Sequence, residues 1–220
     1  MEVKLKKPSL DFNDRFAEEN RALMLKHGIY VLDLLASPGA GKTSLILATI
    51  EALASRYRIA VIEGDIAGDI DAVKIKEAGV QAVQINTGGA CHLEATMVAR
   101  ALASLELENL DLIIIENVGN LVCPTDFDLG EDAKAMILSV PEGHDKPLKY
   151  PGVFQASKAV ILSKIDTRPS FNFDERLFTR SVEQLNPHAV LFSMSAVTGE
   201  GVPAWAQWLS NQIEEKKTCS

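Results

Sequence analysis

The sequence predicts an α/β fold: one doubly wound, mostly parallel sheet with helices on both faces. Three observations predict it. Apolar runs of strand length recur along the 220 residues. Helical patterns separate them. The runs are continuous rather than alternating, so each strand is buried on both faces, as in a parallel sheet covered on both sides. A hydrophobic content of 47% is enough to bury one sizeable core and too little for two.

Residues 10–28 read as a helix, with Phe12, Phe16, Leu23 and Leu25 set among charged residues and Gly28 beyond the last turn. This gives an N-terminal helical extension, residues 1–28, packed on a domain of residues 29–220. The domain opens with the run Ile29–Leu35, a Gly-rich turn and a helical pattern over Lys42–Ser55. Runs at Ile59–Glu63, Gln81–Ile85 and Leu112–Glu116 follow, with helices at about 69–78 and 92–106 between them. Later runs are Ala135–Val140, Ala159–Ser163 and Val190–Met194, with helices at 173–186 and 203–215. Residues 141–152, holding three prolines and two glycines, form the longest loop signal.

Composition excludes several function classes. A net charge of −8 gives an acidic surface, which argues against non-specific binding to nucleic acid or an anionic membrane. No apolar run approaches the roughly 20 residues that span a bilayer. The Lys-rich start, Met1 to Lys7, lacks the apolar stretch of a secretory signal, which predicts a cytoplasmic protein. Three cysteines make no disulfide framework. Cys219 reads as part of a frayed end.

An anionic ligand therefore needs a local site, and Ala36-Ser37-Pro38-Gly39-Ala40-Gly41-Lys42-Thr43 supplies one. It matches the phosphate loop G-x-x-x-x-G-K-[ST], lying between a strand and a helix as that motif requires, with Ala36 in place of the first glycine. Gly39, Ala40, Gly41 and Ser44 belong to a cradle of small residues whose backbone N–H groups curl round phosphates. Lys42 reaches the β- and γ-phosphates, and the Thr43 hydroxyl binds Mg²⁺. This makes the fold that of a P-loop NTPase. Glu116 and Asp65 end the fourth and second runs and complete the predicted Mg²⁺ set with Thr43. Parallel strands present their C-terminal ends on one edge, so Lys42, Thr43, Asp65 and Glu116 converge there.

Ser163-Lys164-Ile165-Asp166 and Ser195-Ala196-Val197-Thr198-Gly199 resemble the guanine motifs N-K-x-D and S-A-x-x-G. A carboxylate at Asp166 accepts from the guanine N1–H and 2-amino group, a donor pair that adenine lacks. The Lys164 stem packs over the base, and Ser195 and Ala196 belong to the second motif. Ser163 stands where the motif has Asn, which normally positions the base and ties the two loops; its replacement predicts reduced guanine affinity. The ligand is thus GTP or GDP.

Cys91-His92 follows the third run and Cys123 the fourth. The expectation is that adjacent strands bring these loops together on the nucleotide edge. Two thiolates and an imidazole suit Zn²⁺ or Ni²⁺. Spacing alone leaves an equally open alternative, two packed cysteines and a helix-start histidine. Cys123 follows Gly119, where GTPases place the switch that senses the γ-phosphate, so a metal there would couple to hydrolysis.

The phosphate loop, Glu63-Gly64-Asp65 with Asp71 beyond, Asn86-Thr87-Gly88, Cys91-His92-Leu93, Glu116-Asn117-Val118-Gly119-Asn120-Leu121-Val122-Cys123-Pro124 and Lys164-Ile165-Asp166 together resemble the hydrogenase maturation GTPase family HypB. The resemblance spans about residues 10–215. It implies a GTPase that converts GTP to GDP and phosphate, dimerises with nucleotide at the interface, and delivers nickel to the [NiFe]-hydrogenase large-subunit precursor with a HypA-type accessory protein. It implies that Cys91, His92 and Cys123 are the metal ligands. Some members carry an N-terminal Cys-rich motif or a His-rich tract; neither is present, so a second metal site is not supported. Thr96 and Arg100 stand where some relatives carry His, which argues against an additional site on that helix face. No water-orienting residue or arginine finger stands out, which predicts slow turnover. Three other readings compete: an accessory GTPase for another metalloenzyme such as urease, a small-molecule kinase, and a non-enzymatic module with a structural metal. The urease type carries Cys-Pro-His, where this chain has Cys123-Pro124-Thr125.

Overall fold

The uninterrupted apolar runs become the strands of a seven-stranded sheet. The computed structural model describes residues 8–65 and 70–218, with the backbone alone at Pro8, Ser9, Asp65 and residues 70–73. Cys219, residues 66–69 (where the helix expected over about 69–78 would start) and the side chains of Asp65 and Asp71 lie outside that description. The strands are β1 Tyr30–Ala36, β2 Ile59–Asp65, β3 Gln81–Asn86, β4 Leu112–Glu116, β5 Ala133–Ser139, β6 Ala159–Ser163 and β7 Val190–Ser193. Their order is β3-β2-β4-β1-β5-β6-β7, and every pairing is parallel. The chain moves outward from β1 to β3, returns to β4 beside β1, then crosses to β5 on the other side. The switch of direction therefore lies at β1, and crevices at such points hold ligands in open α/β sheets.

The helices are α1 Pro8–His27, α2 Lys42–Leu53, α3 Ile70–Glu77, α4 Ala95–Leu102, α5 Lys146–Lys149, α6 Pro151–Ala156, α7 Glu175–Leu185 and α8 Val202–Thr218. Alternation along β1 shows how they cover the sheet. Tyr30, Leu32, Leu34 and Ala36 face a core built with Leu45, Ile46 and Ile50 of α2 and Trp205, Leu209 and Ile213 of α8. On the opposite face Val31 joins a core with Met24 of α1 and Val98 and Leu102 of α4. Leu35 joins a third core with Phe154 of α6 and Phe178 of α7. Between those two cores, still on β1, sits the fully buried Asp33. No described helix is long and apolar enough to cross a membrane.

Helix α1 is held by polar contacts as well as by Met24. Asn13 Nδ2 donates to the Asp128 carbonyl at 2.7 Å, and its Oδ1 accepts from Ala95 N–H at 2.9 Å. Asn20 Nδ2 donates to the carbonyls of Ala95 and Leu129, each at 3.0 Å. Arg21 pairs with both carboxylate oxygens of Asp128 at 2.7 Å.

Two sequence expectations need correction. The segment 141–152 is not one loop: it contains a 3₁₀ turn, Val140–Glu142, then α5 and α6. Its prolines start helices instead of breaking them, because the first helical turn has no use for their missing N–H. Ser139 caps the 3₁₀ turn through its hydroxyl and N–H, both bonded to Glu142 at 2.7 and 2.8 Å. The helix expected over 92–106 is shorter, running Ala95–Leu102. Its predicted first turn is diverted because Leu93 N–H bonds to Asn117 Oδ1 at 3.2 Å and Ala95 N–H to Asn13.

Candidate functional site

The phosphate loop leaves β1 at Ala36 and enters α2 at Lys42. Gly39 and Gly41 have φ of 76° and 104°, a left-handed conformation that glycine adopts without strain. Gly41 is also the N-cap residue of α2, and no side chain caps that end. The first N–H groups of a helix lack partners within it and suit an anion. A cleft of about 500 Å³ opens beside them.

In that cleft the sheet register explains the acidic pair. Glu63 of β2 and Glu116 of β4 are paired residues, and both lie on the α2 side of their strands, in step with Val61 and Ile114. Both are buried. Thr43 Oγ1 donates to the Glu116 carboxylate at 3.1 and 3.4 Å. Thr43 and Glu116 are thus already in contact, and a hydroxyl beside a carboxylate is an oxygen pair suited to Mg²⁺. Lys42, Ser44 and Gly119 line the same cleft. So does Lys74 of α3, a cation that no motif marked.

Two glycines set how closely the surrounding loops approach. A Cβ on Gly119 would lie 2.9 Å from Pro38 Cγ and 3.0 Å from Pro38 N, so the segment after β4 presses directly on the phosphate loop. A Cβ on Gly64 would lie 2.8 Å from three carbons of the fully buried Leu93. Leu93 follows His92, so the end of β2 is in direct contact with the Cys91-His92 segment.

A second cavity of about 250 Å³ adjoins the phosphate cleft. Lys164, Asp166, Ser195 and Ala196 line it, with Ala40 and Gly41. Lys164 holds φ 57°, the one positive φ among described residues other than glycine, and its Nζ donates to the Gly39 carbonyl at 2.7 Å. The stem thereby spans the boundary between the two cavities. Ser163 Oγ donates to the Ala40 carbonyl at 2.7 Å. The tie between the base motif and the phosphate loop, expected of Asn, is thus made here by Ser163. Ser195 is fully buried, and its Oγ accepts from the N–H groups of Val197 and Thr198, each at 3.2 Å.

The ligand atoms of Cys91, His92 and Cys123 lie within 4.8 Å of one another. Adjacent strands do not explain this. β2 stands between β3 and β4, and the loops meet by crossing over its end. Cys91 is exposed and Cys123 half-buried. Cys91 Sγ lies 3.6 Å from His92 Nδ1. The His92 ring stacks on Phe127, centroids 3.9 Å apart. Its Nε2 is buried without a hydrogen-bond partner, 3.8 Å from Glu94 Oε1. Burial pushes the His92 pKa down, against the pull of Glu94, and so favours the neutral ring that can ligate a metal. The Cys123 thiol beside it raises the Cys91 pKa. Two thiols and a neutral imidazole with an orphaned ring nitrogen fit a borderline metal ion.

Asn117 joins this cluster to the phosphate cleft. It follows Glu116, and its Oδ1 accepts from the N–H groups of Leu93 and Val118 while its Nδ2 donates to Asp33 at 3.1 Å. Lys134 Nζ lies 3.2 Å from Asp33 Oδ2 and 2.9 Å from Glu131, and donates to the Phe127 carbonyl at 2.8 Å. Burial pushes the Asp33 pKa up to about 6 against the pull of Lys134. Asn120 bridges the loops from outside, donating to the Cys91 carbonyl at 3.3 Å and accepting from Val122 N–H at 2.8 Å. Of these positioning residues, Asn117 and Asn120 stood in a recognisable motif, but only their side-chain bonds reveal the role. Asp33 gave one signal, a carboxylate inside an apolar run.

Known proteins are similar to this chain in sequence and fold. The family model described as CobW/HypB/UreG, nucleotide-binding domain, matches residues 31–193. The hydrogenase maturation factor HypB of Azotobacter vinelandii is 49% identical over 210 residues, covering 96% of this chain and 69% of that protein. The hydrogenase/urease maturation factor HypB of Helicobacter pylori is 44% identical over 222 residues, 98% of this chain and 89% of that protein. The crystal structure of HypB from Helicobacter pylori in complex with nickel superposes with a TM-score of 0.89 at 40% identity, covering 93% of this chain and 96% of that one. With its nucleotide-binding domain, its parallel P-loop sheet and these relatives, the chain belongs to the CobW/HypB/UreG family, on the branch of the HypB hydrogenase maturation factors.

Proposed function

We propose that the chain binds GTP with Mg²⁺, hydrolyses it slowly to GDP and phosphate, and uses the nucleotide state to control a nickel ion destined for [NiFe]-hydrogenase. The observation that carries this reading is the Asn117 side chain. It is adjacent to Glu116 in the phosphate cleft and bonded to Leu93 beside His92, so one residue spans both sites.

Each site residue has a role in this reading. Gly39, Ala40, Gly41, Lys42, Thr43 and Ser44 hold the phosphates, with Lys42 offsetting charge on the β,γ-phosphates as the bond to the γ-phosphoryl group breaks. Thr43 and Glu116, with Asp65, would hold Mg²⁺, which supplies electrostatic stabilisation of the phosphate oxygens when bound. Gly119 follows the γ-phosphate through its contact with the phosphate loop. Asp166 reads the guanine edge, Lys164 covers the base plane, and Ser195 and Ala196 close the pocket. Cys91, His92 and Cys123 hold Ni²⁺ or Zn²⁺. Three protein ligands leave a position for a transfer partner or for a second copy of the chain. The reading includes a nucleotide- or metal-dependent homodimer, a HypA-type accessory partner, the hydrogenase large-subunit precursor as client, a cytoplasmic location, and residues 1–28 as an extension of a GTPase domain over 29–220. The relative named as a hydrogenase/urease maturation factor keeps urease as a second client class.

The test pairs two measurements. GTP hydrolysis is followed with Mg²⁺ for the wild type and Lys42→Ala. Nickel is titrated with and without a non-hydrolysable GTP analogue into the wild type and a Cys91→Ala/Cys123→Ala variant. The reading expects hydrolysis lost in Lys42→Ala, and stoichiometric nickel binding that nucleotide shifts and the double variant lacks. Hydrolysis equal in both proteins, or nickel binding equal in both, removes the corresponding half.

A further inference from the structure

We infer that Asn13 and Asn20 of α1 are positioning residues for the Cys91/His92/Cys123 centre. The inference rests on the metal reading above. Each ligand segment has one end that could drift. The Cys91-His92 segment ends where α4 begins, at Ala95, and the Cys123 segment runs on through Phe127 to Leu129. The two asparagines pin both ends at once. Asn13 takes the N–H of Ala95 and gives to the carbonyl of Asp128, while Asn20 gives one amide hydrogen to Ala95 and the other to Leu129. All four bonds are between 2.7 and 3.0 Å, and the two residues are 2% and 4% exposed.

A primary amide suits this task because it offers a donor pair and an acceptor on one rigid group. Asn20 lies seven residues after Asn13, about two helical turns, so both side chains leave α1 on the same face. Backbone packing fixes the distance: a Cβ on Gly130 would lie 2.6 Å from the Ala17 carbonyl and 2.7 Å from Asn20 Cβ. Phe127, one residue before Asp128, carries the His92 ring on its face. α1 therefore sets the spacing of the two ligand segments from outside the sheet. Among the described residues, none from α1 lines the phosphate cleft. Loss of these amides should loosen the metal centre and leave nucleotide binding alone.

The experiment titrates Ni²⁺ into the full chain and follows thiolate-to-nickel absorption, with GDP affinity measured on the metal-free form of each protein. The variants are Asn20→Ala and the milder Asn13→Asp, which keeps the acceptor for Ala95 and loses the donor for Asp128. Asn186→Ala is the matched control. Its Nδ2 donates to the carbonyls of Phe154, Gln155 and Ser157, so its loss strips a comparable set of bonds far from the centre. The expected result is nickel affinity lowered by about tenfold or more and an altered absorption band in both α1 variants. GDP affinity stays unchanged, and Asn186→Ala loses thermal stability with wild-type nickel binding. Should Asn20→Ala fail to fold, Asn13→Asp decides. Wild-type nickel binding in a folded α1 variant, or an equal loss in Asn186→Ala, overturns the inference. A Cys123→Ser arm separates the two readings: if it binds nickel like the wild type, the metal centre itself is wrong and the inference falls with it.

Discussion

At the scale of single residues, the site is built from groups whose partners define their work. In the proposed function Asp166 reads the guanine edge, so Asp166→Ala should weaken GTP binding by about 10- to 100-fold, the worth of hydrogen bonds to a charged group. Competition between GTP and ATP measures it, and an unchanged preference would move base recognition elsewhere. Ser163→Ala leaves the buried Ala40 carbonyl without its 2.7 Å partner. The cost should be about 1–3 kcal/mol of stability, read from denaturant unfolding, together with weaker nucleotide binding. A variant as stable as the wild type would show that water replaces the hydroxyl. Both positions were legible in the sequence because they stand in a recognisable motif, and the structure places both in one cavity. The bond from Ser163 was not, since a serine in an asparagine's place does not reveal which carbonyl it meets. Lys74 was not legible at all: its place in the cleft depends on how α3 lies across the sheet.

At the scale of elements, the strands were read almost to the residue, because a parallel sheet demands apolar residues on both faces. The helix ends were less legible. α4 begins at Ala95, three residues later than the apolar pattern suggests, because side chains from α1 and from beyond β4 capture its first N–H groups. Those partners are distant in the chain, and no local pattern announces them. The meeting of the two ligand loops was expected for the wrong reason, with β3 beside β4 where β2 in fact intervenes. The pairing of α2 with α8 invites its own test. Trp205 is fully buried, its Nε1 donates to Thr49 of α2 at 2.9 Å, and its ring packs with Phe192 and Trp208. Trp205→Ala should cost about 3–5 kcal/mol in a denaturant titration. Because α2 carries Lys42 and Thr43 at its start, GTP affinity should fall as well. A loss under about 1 kcal/mol would mean the core closes over the gap.

At the scale of the whole molecule, the sheet separates stability from function along its strands. The C-terminal ends carry the phosphate-loop cleft and the thiol groups. The N-terminal ends are closed by Asp111, which accepts from Arg58 N–H at 2.7 Å, from Arg58 Nε at 3.1 Å, and lies 3.0 Å from Lys217. Burial works against the Asp111 carboxylate, but Arg58 and Lys217 outweigh it and hold its pKa at about 2. A carboxylate with a depressed pKa stabilises the fold above its ordinary value of 3.8 and loses that contribution as pH falls towards about 2. Asp33 has the opposite sign: its pKa is raised to about 6, so its ionised form costs stability at neutral pH. Unfolding free energy should therefore fall steeply below pH 3.8, and Asp111→Asn should flatten that acid limb. Parallel slopes for the two proteins would assign the acid sensitivity to other carboxylates.

Gly64 and Gly119 are places where the phosphate side and the thiol side press together, and neither has a side chain to remove. An alanine scan, the usual way to map communication, reads the effect of deletion. At these two positions it would read the effect of insertion, a methyl group driven into Leu93 or Pro38. Such variants would look like damaged folds and be set aside, while the large residues around them drew the attention. The route between the two ligands therefore has to be traced by added bulk of graded size, with the response of one ligand's affinity to the other as the observable.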